Sequence, residues 1–141
     1  MFHTPLSRRL AGIALFGIAV GPLQAVEKPT SVAVQMKRIA EDFKALAAQA
    51  ADPSQKDSSL ARADAIREAI TISRPLVPSP ALGLEGSELE GYLTVFQRGL
   101  DEFDTGLEKL SQAIRAGDPR PIAAAIAEIN QLKKTYHSDL R

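Results

Sequence analysis

Cysteine is absent from the chain. That excludes disulfides, even for a chain that reads as exported, and it excludes thiolate-built structural zinc sites. An excess of one charge is lacking too: 17 Lys and Arg face 17 Asp and Glu. Nucleic-acid binding would call for a basic stripe, so no nucleic-acid partner is expected. Nowhere does an apolar run reach the ~20 residues of a membrane-spanning helix. No glycine-rich phosphate loop and no nucleophile–base–acid set is present. Strand-like alternation and internal repeats are missing as well. The fold must rest on an apolar helical core, or on a bound group.

The N-terminus is built differently from the rest. "MFHTPLSRR" carries Arg8 and Arg9 without an acidic residue, "LAGIALFGIAV" is a short apolar run, and "GPLQA" ends on Ala25. This is the order of a secretory signal peptide over 1–25, with cleavage expected after Ala25. Of the 141 residues, the 116 from 26 to 141 then form one domain. Without Arg8 and Arg9, 15 basic residues face 17 acidic ones, a net of −2. A soluble, exported product with no stable membrane insertion after cleavage is expected. Met1 and His3 leave with the signal, so the mature chain holds one methionine, Met36, and one histidine, His137.

Hydrophobic spacing predicts four helices. Val32, Met36, Ile39, Phe43, Leu46 and Ala50 alternate by four and three, which puts them on one helical face. Thr30 or Ser31 can cap its start, and "ADPSQ" around Pro53 ends it. A second helix runs from about Asp57 to Ser73, with Leu60, Ala63, Ile66 and Ile70 inward. "RPLVPSPALGLEG" then breaks helicity through Pro75, Pro78 and Pro80. In "SELE", Ser87 and Glu90 have capping-box spacing, and the third helix follows with Leu93, Phe96, Leu100, Phe103, Leu107, Leu110 and Ile114. Gly117 stops it. Asp118 and Pro119 open a fourth helix that buries Ile122, Ile126, Ile129, Tyr136 and Leu140. The fold class expected is all-α, an up-down-up-down antiparallel four-helix bundle.

That topology brings two residues together. With four alternating helices, the start of the first and the end of the fourth share one end of the bundle. Met36 is about one turn inside the first helix and His137 about one turn from the end of the fourth, so a ~1.5 Å rise per residue puts them at nearly equal depth. His137 lies eleven residues beyond Ile126, about 20° away on the helix wheel, and Met36 is on its own apolar stripe. A thioether and an imidazole approaching from opposite sides form the axial pair of an electron-transfer haem. The same two residues also fit a haem-free structural or binding bundle, with Met36 in the core and His137 at a rim, complementing the helix dipole.

Other constellations are weaker. Asp101, Glu102, Asp104 and Glu108 flank core positions of the third helix and read as a solvated face. A di-metal carboxylate site would need a second histidine. Gly99 and Gly106, seven apart, share a face and allow a close approach by a neighbouring helix or a bound group, at ~1 kcal/mol each in helix propensity.

Three stretches carry a resemblance. "KKTYHSDLR" resembles the C-terminal tail of the soluble cytochrome b562 family, in which Tyr-His precedes a closing Arg by the same spacing. "QMKRIAEDFKAL" is similar to that family's first helix and "FQRGLDEFDTGLEKL" to its third. The resemblance implies non-covalent haem b in an exported bacterial electron carrier rather than an enzyme, with Met36 and His137 as axial ligands. It implies Arg141, and Lys133 one turn before His137, as partners for haem propionates, and Phe96 and Leu100 as pocket residues. Redox proteins are the expected partners. A monomer is expected, although bundle dimers need no special signature. Two departures stand out: Leu100 replaces a ring found in better-known members, and the Met36-to-Phe96 stretch is longer, in the Pro-rich second connection. That connection is expected to cap the Met36/His137 end.

Overall fold

The computed structural model describes residues 30–141; the signal peptide expected over 1–25 lies outside the described residues. Four helices follow one another: α1 (Val32–Gln49), α2 (Lys56–Ser73), α3 (Gly86–Ala116) and α4 (Pro119–Asp139), with short 3-10 turns at Pro53–Gln55 and Ser79–Ala81. Among the described residues there is no strand, and no helix is long and apolar enough to cross a membrane.

Helix ends follow local chemistry. Ser31 caps α1, its Oγ accepting from the Val34 N–H at 3.3 Å. The Asp118 carboxylate caps α4 by accepting from Arg120 N–H at 3.1 Å, with Pro119 in the first turn, where a missing N–H costs nothing. Gly117 ends α3 at φ +75°, a left-handed conformation that a side chain would oppose. The Ser87–Glu90 capping box does not form. The helix begins at Gly86, with Glu85 extended at the cap and no side-chain bond, so Ser87 is already inside the first turn.

Cross-helix contacts show the antiparallel order. Between α1 and α2, Arg38 meets Glu68 while Asp42 meets Arg62. From α2 to α3, Lys56 reaches the Arg115 carbonyl, Arg67 meets Asp104 and Glu108, and Arg74 meets Asp101. From α3 to α4, Lys109 meets Glu128, and Tyr92 meets Leu140. Each step up one helix is a step down the next. The acidic face of α3 is therefore more than a solvated surface, because Asp101, Asp104 and Glu108 all hold α2 cations.

The core is unequal along the bundle. At the α2/α4 starting end, Leu46, Ala63, Leu107, Leu110, Ile114 and Ile122 are buried. At the opposite end Met36, Tyr92 and Leu140 pack against the core while only half-buried. The consecutive helix pairs pack along their lengths, whereas the α1 and α4 backbones barely approach one another. Two helical hairpins are thus joined through α2 and α3, and a slot remains between α1 and α4.

Candidate functional site

That slot is a cavity of ≈ 610 Å³, within the ~300–1,000 Å³ range of small-molecule sites. Alpha-1 contributes Val32, Met36 and Ile39; α3 contributes Tyr92, Phe96, Leu100 and Phe103; α4 contributes Lys133, Tyr136, His137 and Leu140. Pro78, Ser79 and Pro80 of the second connection also line it, as expected for a segment covering this end. The Ser79–Ala81 turn is anchored by the buried Ala81, and Gln97 Nε2 on α3 donates to the Arg74 carbonyl at 2.7 Å, tying the connection's start to the bundle.

Met36, His137, Phe96, Leu100, Lys133 and Arg141 all border this one cavity. Met36 enters from α1 half-buried, and His137 enters from the last turn of α4 with an exposed ring. Phe96 and Leu100, one turn apart on α3, are buried in the wall. Arg141 lies exposed at the chain's end. Lys133 reaches across the slot: its Nζ is 5.1 Å from the centroid of the Phe43 ring on α1, within cation–π range. Phe43 in turn meets Phe103 edge to face, with centroids 6.1 Å apart, so the ammonium sits beside an aromatic pair.

Two placements were not legible beforehand. A Cβ on Gly99 would meet Tyr136 Cδ1 at 2.8 Å, so the missing side chain is what lets the tyrosine ring lie on α3. Gly106 serves Ile129 similarly, at 3.0 Å from its Cγ1. The glycine spacing signalled a close approach without naming its occupant, and the occupant is α4. In addition, Tyr92 donates its hydroxyl to the Leu140 carbonyl at 3.1 Å. Burial pushes the Tyr92 phenol above its ordinary pKa. Burial does the same at Tyr136, helped by the neighbouring Glu102 carboxylate and opposed by Arg98. Both phenols stay protonated at neutral pH.

A largely apolar cavity at the open end of a bundle, with a thioether and an imidazole in its walls and two cations at its edge, defines a cofactor-binding four-helix bundle. The family model for cytochrome b562 matches residues 31–141, and the chain belongs to that family. It is therefore a haem-binding electron-transfer bundle, and haem b is the group that membership implies. No match is found among curated proteins, nor among solved structures. No group of three or more His, Cys, Asp or Glu side chains able to hold a metal ion occurs among the described residues.

Proposed function

We propose that the protein is a periplasmic single-electron carrier that holds one haem b non-covalently, with Met36 and His137 as its axial ligands. One observation carries this reading. The only methionine and the only histidine outside the signal peptide line the same cavity, from two helices whose backbones barely approach one another. The donor set fits the group, because imidazole and thioether are both established haem ligands and the cavity lining is largely apolar.

Bound haem supplies a one-electron ferric/ferrous couple. The chain's own residues decide how that couple is used. His137 would offer an imidazole nitrogen to the iron. Met36 would offer a soft sulfur, which would favour the ferrous state and a higher potential. With both residues as ligands, no coordination site would be left for oxygen or a substrate, so transfer to redox partner proteins would be the natural use. Phe96 and Leu100, buried in the cavity wall, would supply apolar lining for the haem. Arg141 and Lys133, both at the cavity, would provide positive charge for the propionates.

Expression of the full chain tests this. A red periplasmic fraction with a Soret band is expected, with haem extractable by acidified organic solvent and a mature N-terminus at Val26. A colourless folded product that takes up no added haemin would instead support a haem-free bundle.

A further inference from the structure

We infer that Tyr92 is a positioning residue for His137, holding the last turn of α4 against α3 through its hydroxyl. The inference rests on the reading that His137 binds the iron. Terminal helical turns fray, and their last carbonyls have no partners within the helix. The last turn of α4 is such a turn, yet it carries the imidazole.

Two contacts from α3 bracket it. On one side, the Tyr136 ring lies on Gly99. On the other, the Tyr92 hydroxyl donates to the carbonyl of Leu140, the residue that closes α4 and whose own N–H donates to the Tyr136 carbonyl at 3.0 Å. The hydroxyl thus satisfies one of the orphan carbonyls. Glu102, also on α3, faces the Tyr136 phenol, while the Tyr92 hydroxyl takes the carbonyl beyond His137. His137 lies between the two contacts, one residue after the first and three before the second. The Tyr92 ring borders the cavity as well, so its hydroxyl and its ring act separately: the ring forms wall, and the hydroxyl holds the turn.

Tyr92→Phe keeps the ring and removes only the donor. Three measurements on the haem-loaded protein and its haem-free form decide the matter. Haemin transfer to an excess of a scavenging apo-globin is expected to run about three- to tenfold faster, the scale of one hydrogen bond. Amide exchange is expected to accelerate in residues 137–141 alone. The oxidised spectrum is expected to gain a high-spin component as the imidazole disengages. Leu110→Ala, at the far end of the bundle, serves as the control for a general loss of stability and is expected to leave haemin release unchanged. Release and last-turn exchange equal to wild type in Tyr92→Phe would overturn the inference. So would a faster release matched by Leu110→Ala. A wild-type protein that never shows low-spin haem defeats the ligand reading instead, and the exchange measurement on the haem-free form then still decides whether Tyr92 holds the turn.

Discussion

The ring of Tyr136 lies on Gly99 at a distance that leaves no room for a methyl group: a Cβ there would be 2.8 Å from Cδ1. Gly99→Ala should therefore displace Tyr136 and with it the adjacent His137, although alanine is the better helix former by ~1 kcal/mol. The expected result is weakened haem retention and a shifted low-spin spectrum. Gly106→Ala provides the comparison, because its neighbour is Ile129, two turns from the histidine. It should cost stability and leave the spectrum alone. Equal spectra for the two variants would show that the Tyr136 contact does not position the ligand.

Removing each proposed ligand should give a different signature. Met36→Ala is expected to keep haem bound while opening one axial position, so the spectrum moves toward high spin and the potential falls. His137→Ala is expected to lose haem more severely. Because a ligand that binds only the folded state stabilises it, haemin should raise the wild-type melting temperature and leave that of His137→Ala nearly unchanged. An unaltered spectrum in Met36→Ala removes Met36 from the iron.

Arg67 joins α2 to α3 with a geometry that lysine cannot copy. Its Nε and Nη2 donate to the two carboxylate oxygens of Asp104, at 2.8 and 3.3 Å, and its Nη1 donates to Glu108 at 2.7 Å. The Asp104 hydrogen bond is also the main reason that Arg67 holds its proton more firmly than an ordinary arginine. Since all three side chains are about a third exposed or more, Arg67→Lys should cost no more than about 1 kcal/mol in urea unfolding. The difference should shrink in high salt. A larger, salt-independent loss would mean that the alkyl packing of Arg67, and not its charge, joins the helices.

Alkaline pH should weaken the haem-free fold through Tyr92. Burial raises its pKa in the folded state, so the unfolded chain releases this proton first as pH rises through about 10. The stability it contributes is complete below that pH and is lost above it, up to the folded-state pKa. Denaturation measured from pH 8 to pH 11 should fall more steeply for wild type than for Tyr92→Phe. Parallel curves would show that this phenol ionises alike in both states.

Leu110 is fully buried at the closed end. Leu110→Ala should cost about 2–5 kcal/mol by opening a cavity there. Its haem spectrum should match wild type, since the variation lies far from Met36 and His137.

Much of this architecture was legible because it is periodic. Most of the α3 stripe is buried as predicted: Phe96, Leu100, Leu107, Leu110 and Ile114 are all in the core, with Leu93 and Phe103 half-buried. The Asp118–Pro119 start and the Gly117 stop were equally plain, as local backbone chemistry decides them. The Ser87–Glu90 box failed because capping depends on where the preceding loop delivers the chain, and here Gly86 enters the helix first. The acidic residues of α3 lie on the solvated face their pattern predicts, but the pairing of Asp101, Asp104 and Glu108 with α2 cations was not legible, for a related reason. One helix's pattern does not reveal which cations the next helix places opposite it.

By itself, the sequence determined four helices, their alternating order and the placing of Met36 and His137 at one end of the bundle, because rise and periodicity are properties of each helix alone. Only the tertiary structure decided that α1 and α4 stand apart enough to leave a cavity between those residues. It alone decided that Gly99 receives Tyr136, that Lys133 crosses to Phe43, and that Tyr92 takes the carbonyl of Leu140. These depend on distances between helix axes and on which rotamers fit between them. Such quantities are settled by packing residues far apart in the chain, which no local pattern encodes.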